Sequence, residues 1–159
     1  MIRVTLEFWP ILGMQFLGEQ TPEDLAVVDA IMVSPIIRSS KFVSISDVRH
    51  QHNSASQRAL LAEWSERRSA VDKGRSLRAV LVLGSPALRA GLTALNWLVK
   101  RTIPQEVVAS AAEAVSLGIT ILDQANLDAP DDVTLRFMDW IAQGGVEGAA
   151  GMAARSARG

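Results

Sequence analysis

The run Arg78-Ala79-Val80-Leu81-Val82-Leu83-Gly84 constrains this chain more than any other stretch. Its apolar residues follow one another without polar alternation. A strand of that kind is buried on both faces, as happens in a parallel sheet covered by helices on each side. Ser85-Pro86 then opens a helix, ALRAGLTALNWLVKR, because serine caps a helix start and proline suits its first turn. A buried strand feeding a helix commits the chain to an α/β architecture.

The remaining segments fit that frame. Ile2, Val4, Leu6 and Phe8 alternate with Arg3, Thr5 and Glu7, the period of a half-buried strand. Trp9-Pro10 breaks it and ILGMQFLGE resumes an extended pattern, so a hairpin or bent pair opens the fold. Thr21-Pro22-Glu23-Asp24 reads as a helix entry with capping-box spacing, and the helix stops near Ser34-Pro35. KFVSISDVR is a strand with Phe42 out of phase with Val43, Ile45 and Asp47. A helix follows from Ser56 to about Lys73, with Leu60, Trp64 and Val71 on its apolar stripe. Glu63, Glu66, Arg67, Arg68 and Asp72 are expected on its wet side. Lys73-Gly74 ends it.

QEVVAS is a short strand leading into AAEAVSLGITIL, read as a helix capped by Ser110 with Glu113 three residues on. A last helix, DVTLRFMDWIAQ, opens at Pro130-Asp131-Asp132 and is expected to end at Gly144-Gly145. The expected organisation is an α/β domain over residues 1–125, a helical extension over 126–143 and a disordered tail over 144–159. A chain of 159 residues suffices for one well-filled domain.

Composition removes several functions. With 16 basic and 17 acidic residues the formal charge is −1, and no basic stripe offers the counterion release of a nucleic-acid binder. Tyrosine is absent and aromatic residues make up 5% of the chain, so no base-stacking platform is expected. There is no cysteine, which excludes disulfides and thiolate chemistry and fits a cytoplasmic address. No run reaches the roughly 18 apolar residues of a spanning helix. The first residues, MIRVTLEFWPILG, read as strand and not as a signal peptide.

Two places could carry chemistry. SDVRHQHNSASQR holds both histidines, His50 and His52, beside Asp47, Ser54 and Ser56. A metal would need further ligands that the neighbourhood does not supply, so no metal or other cofactor is expected. A hydrolase would need Asp47, His50 or His52, and Ser85 to converge. The simpler reading is a loop in which Ser54 or Ser56 caps the next helix. The second place is Gly84-Ser85-Pro86 with Arg89, where a strand runs into a helix start that either binds an anion or forms a plain capped turn. Both lie at the carboxyl ends of parallel strands, the ligand edge of open α/β sheets.

The helix after Ser85 is unusually apolar. Leu88, Leu92, Leu95 and Val99 form one stripe, and Ala90, Ala94, Trp97 and Leu98 widen it. Either the C-terminal helix covers its outer side, or Leu88, Leu92, Leu95, Trp97 and Val99 face a partner, a second copy or an apolar ligand.

The element order, with the phrases TPED, FVSISDVR, LVLGSPALRAGLTALNWLVKR and EVVASAAEAVSLG, resembles the STAS-like family, the sporulation stage-II-AA-like domains related to anti-sigma-factor antagonists. The resemblance covers roughly residues 1–125. It implies a mostly parallel sheet of four or five strands with helices packed on it, and a non-enzymatic regulatory module that acts through protein contacts, as a homodimer or with another partner. In phosphorylated members of the family the acceptor hydroxyl follows an aspartate at the start of the second helix. Here Val48-Arg49-His50 follow Asp47, and the nearest hydroxyls are Ser54 and Ser56. The alternative is a carrier of a small lipid or nucleotide, using the loops at 49–56 and 84–89 with Ser54, Ser56, Gly84, Ser85 and Arg89 at its mouth.

Overall fold

The computed structural model describes residues 1–52, 54–90 and 102–156, the stretch 145–156 by its backbone alone. Strands β1 (Ile2–Thr5), β2 (Ile11–Gly18), β3 (Phe42–Gln51), β4 (Ser76–Val82) and β5 (Gln105–Val108) form one sheet in sequential order. β1 pairs antiparallel with β2, and every other neighbouring pair is parallel. Helices α1 (Pro22–Met32) and α2 (Pro35–Ser39) connect β2 to β3, and α3 (Ala55–Asp72) connects β3 to β4. Helical residues 86–90 (α4) begin the connection to β5, and α5 (Ala111–Gln124) and α6 (Val133–Ser156) close the chain.

Topology decides which helices share a face. Parallel crossovers are right-handed, so successive crossovers that step in one direction along a sheet stack on the same side. Leu25, Val28 and Met32 of α1 and Trp64 of α3 accordingly pack on Leu12, Met14, Phe16 and Phe42. Past the edge strand β5 the chain turns to the other side. There Ala114, Val115 and Leu122 of α5, with Val133, Phe137 and Ile141 of α6, cover Ile11, Val43, Ile45, Val80 and Val82. Period-two alternation separates the two cores, with Phe42 on one face of β3 and Val43 and Ile45 on the other.

Helix starts follow their caps. Thr21 and Asp24 form a complete capping box, Ser54 accepts from the Gln57 amide, and Ser110 accepts from the Glu113 amide. Gly74 at φ +85° makes the turn after α3, a conformation that favours glycine. The segment GITIL is helical, inside α5.

Several expectations are corrected. The last helix does not end at Gly144-Gly145, and α6 runs on to Ser156. A Cβ on Gly144 would lie 1.8 Å from Gln15 Oε1 and 2.1 Å from Arg3 Nη1, so this glycine permits close approach to the sheet instead of stopping the helix. On α3, Val71 is exposed, whereas Asp72 and much of Arg68 are buried against each other. β3 runs through Gln51, so the strand continues past Arg49 and takes in His50 and Gln51, which were expected in the loop. The chain also does not leave helical geometry for long at Pro35, which starts the short α2. Finally, among the described residues β4 is more tightly covered on one face: Val80 and Val82 are buried, while Ala79 and Leu81, with Leu83 just past the strand, are half-buried and line an open space. The C-terminal helix lies on the α5 face and therefore does not cover Leu88, which borders that open space on the α3 face.

Candidate ligand cavity

The open space is a cavity of about 620 Å³ between α3 and the sheet. Alternation sets its floor. The side chains of β2, β3 and β4 that point away from α5 and α6 are Leu12, Met14 and Phe16, then Phe42, Ser44, Ser46 and Val48, then Ala79, Leu81 and Leu83. Helix α3 supplies the roof through Arg58, Leu61, Ser65, Ser69 and Asp72, which recur every three or four residues along one face. Trp64 closes the side next to α1, its indole Nε1 donating to Asp29 Oδ1 at 3.0 Å. Gly84, Ser85 and Leu88 border the end where the parallel strands finish.

Two charged clusters mark opposite ends of α3. At its C-terminal end Arg68 Nη2 donates to Asp72 Oδ1 at 2.6 Å, and Arg68 Nη1 lies 3.6 Å from Asp29 Oδ1. Burial raises the Asp72 carboxyl above its ordinary value, although the Arg68 guanidinium pulls the other way. At the strand ends, Asp47 is fully buried and accepts from Arg49 Nε at 2.8 Å, from Arg49 Nη2 at 2.9 Å and from the Arg49 amide at 3.1 Å. Hydrogen bonding to this carboxylate holds the Arg49 guanidinium protonated above its usual range. Gln15 extends the network. Its Nε2 donates to Ile141 O at 3.1 Å and reaches Asp47 Oδ2 at 3.5 Å, and its Oε1 accepts from Arg3 Nη1 at 2.9 Å. Arg49 is therefore braced from the α6 side of the sheet while lining the cavity on the other.

The residues singled out in the sequence fall as follows. Ser54 caps α3, and its hydroxyl lies 2.9 Å from that of Ser56, which is exposed. Ser85 lines the cavity and accepts weakly from the Leu88 amide at 3.4 Å. Arg89 Nη1 is turned onto the carbonyls of Leu83 and Gly84, at 2.7 and 2.8 Å, bracing the turn after β4. Leu88 is 47% exposed, and Leu92, Leu95, Trp97 and Val99 lie outside the described residues. His50 and His52 are exposed, with His52 Nε2 at 3.7 Å from Glu19 Oε1. Asp47 faces α6 while Ser85 faces the cavity, so the Asp–His–Ser arrangement of a hydrolase is not assembled. Among the described residues, no group of three or more His, Asp or Glu side chains could hold a metal ion, and no helix is long and apolar enough to cross a membrane.

Sequence reasoning missed Arg49, Arg58 and Arg68 as cavity residues. A usable signal was present in α3, where Trp64, Arg68 and Asp72 repeat at i, i+4 and i+8 with Ser65 and Ser69 beside them.

No protein-family model matches the chain, and no curated protein matches it. A solved structure does: an uncharacterized protein of the DUF3478 family with a SpoIIAA-like fold from Shewanella loihica PV-4. It superposes with a TM-score of 0.54 at 13% identity, over 74% of this chain and 93% of that one.

Proposed function

We propose that this chain, an α/β protein of SpoIIAA-like fold, is a non-catalytic binding module that holds one small, largely apolar molecule between α3 and the sheet. The observation that carries the reading is the cavity itself. Its volume of about 620 Å³ lies inside the roughly 300–1,000 Å³ range of small-molecule sites. Leucine, methionine and phenylalanine dominate its floor, so filling it with apolar matter removes that surface from water. One end of it, at Gly84 and Ser85, reaches the carboxyl ends of parallel strands, where α/β sheets place ligands.

Replacing Leu81 by Trp fills the floor from the centre of β4. Decanol, a neutral apolar probe, is expected to raise the Tm of the wild-type protein and not that of Leu81→Trp. A wild-type protein whose Tm decanol leaves unchanged rules the reading out. Ligand at a hundred times its Kd stabilises a fold by about 2.7 kcal/mol, a shift of several degrees.

A second reading keeps the regulatory role, with protein contacts tuned by phosphorylation. It is favoured by the paired Ser54 and Ser56 hydroxyls at the start of the 18-residue α3. A phosphate on the exposed Ser56 would face the positive end of that helix and its first-turn amides. Native-source protein that never gains the mass of a phosphate, and whose oligomeric state is the same in Ser56→Glu, would remove it.

A further inference from the structure

We propose that the molecule held in the cavity is an apolar body carrying an uncharged oxygen, a hydroxyl or a carbonyl, partway along it, and that Ser44 and Ser46 receive this oxygen in the middle of the floor. The inference rests on the ligand-binding reading above and adds the chemistry by which the ligand is recognised.

Placement is the first ground. β3 is the central strand of the sheet, and Ser44 and Ser46 stand two residues apart on its cavity face. Ser44 lies in register between Leu12 and Ala79, and Ser46 between Met14 and Leu81. Both hydroxyls therefore sit within the apolar floor and not at the end bordered by Gly84 and Ser85. Valine would suit these strand positions better and bring no polar atom with it.

Unmet hydrogen bonding is the second ground. Ser44 is 8% exposed and Ser46 7%, yet neither hydroxyl takes a partner among the described residues. The other buried polar side chains described, Gln15, Gln20, Asp47, Gln57 and Asp72, all hydrogen-bond within the protein. A hydrocarbon filling the cavity would shut water out and leave both serines unpaired, which is costly. A ligand oxygen at that point restores a bond, because a serine hydroxyl both donates and accepts. A charged group there would lose its water among the leucine and methionine side chains, so the oxygen is uncharged.

The test is titration of the full chain, followed by nuclear magnetic resonance, with butylbenzene, butyrophenone and the alcohol obtained by reducing butyrophenone. The three share one carbon skeleton and differ only in the oxygen. At least one oxygenated probe is expected to bind Ser44→Ala/Ser46→Ala about tenfold more weakly than wild type, with butylbenzene within about twofold. The probe that loses more identifies the oxygen as hydroxyl or carbonyl. Because the double variant gives up no hydrogen bond within the protein, its Tm without ligand should equal or exceed that of wild type. Oxygenated probes that lose no more than butylbenzene, or wild-type protein that binds butylbenzene alone, overturn the oxygen and leave the cavity reading intact. A double variant that melts well below wild type, or does not fold, overturns it too, since the serines then hold the fold. Wild-type protein that binds none of the three overturns the cavity reading itself.

Discussion

Arg49 meets Asp47 edge-on, with Nε 2.8 Å from Oδ1 and Nη2 2.9 Å from Oδ2, on a carboxylate that has no solvent exposure. The two residues are neighbours on one strand, two positions apart, so the pair forms as soon as β3 does. Removing the arginine alone leaves a buried, uncompensated carboxylate. Arg49→Ala is therefore expected to lose about 3 kcal/mol of stability in urea unfolding. Asp47→Asn/Arg49→Gln is expected to lose clearly less. Equal losses would mean that the pair is not what the arginine contributes.

Docking of α6 offers a second prediction. Phe137 is fully buried, with ring centroids 5.3 Å from Phe8 and 5.5 Å from Trp140. Phe137→Ala should cost about 3–5 kcal/mol. Met138, the next residue, is 36% exposed, and Met138→Ala should stay within about 0.5 kcal/mol. Similar effects at the two positions, measured by denaturant unfolding, would contradict the orientation of α6.

Gly144→Ala tests the close approach of α6 to the sheet. Helix propensity alone favours alanine by about 1 kcal/mol. The added Cβ would collide with the side chains of Gln15 and Arg3, which must then give up their contacts with each other and with Ile141 O and Trp140 O. A net destabilisation of about 1–3 kcal/mol is expected, and a stabilised variant would show that the helix stands further off.

Two carboxyls predict opposite pH dependence. Asp72 is raised by burial, so the folded state holds its proton more firmly than the unfolded chain does. Its contribution is present at low pH and is lost as pH rises from the ordinary value of 3.8 through the raised one. At Asp24 burial pushes upward but is outweighed by hydrogen bonds from Thr21 and by the N-terminal ammonium, so the net shift is downward. Its contribution is present above 3.8 and is lost as pH falls through the lowered value. Relative to wild type, Asp72→Asn should thus flatten a fall in stability with rising pH, and Asp24→Asn should flatten a rise. Urea midpoints between pH 3 and 6 read both signs.

Much of the fold was legible because it is written locally. Thr21 with Asp24, and Ser110 with Glu113, announce helix starts within four residues, and the phase of Phe42 against Val43 and Ile45 separates the two cores. What was not legible depends on contacts distant in sequence. Arg68 and Asp72 look like solvated charges until Asp29 and Trp64 are brought beside them. Gly144 reads as a helix stop until Gln15 and Arg3 lie under it. The width of the cavity has no local signature, since the gap between Leu81 and α3 is a property of how far the helix stands from the sheet. Ser44 and Ser46, polar positions on the cavity face of β3, were its nearest trace in the sequence.

Nuclear magnetic resonance titration of isotope-labelled protein with decanoate tests the ligand cavity most directly. Amide and methyl shifts are predicted to concentrate at Leu12, Ser46, Leu81 and the Trp64 indole, with Val115, Phe137 and Ile141 on the opposite face unmoved. No shifts at saturating decanoate, or shifts confined to the α5 and α6 face, would contradict a ligand between α3 and the sheet.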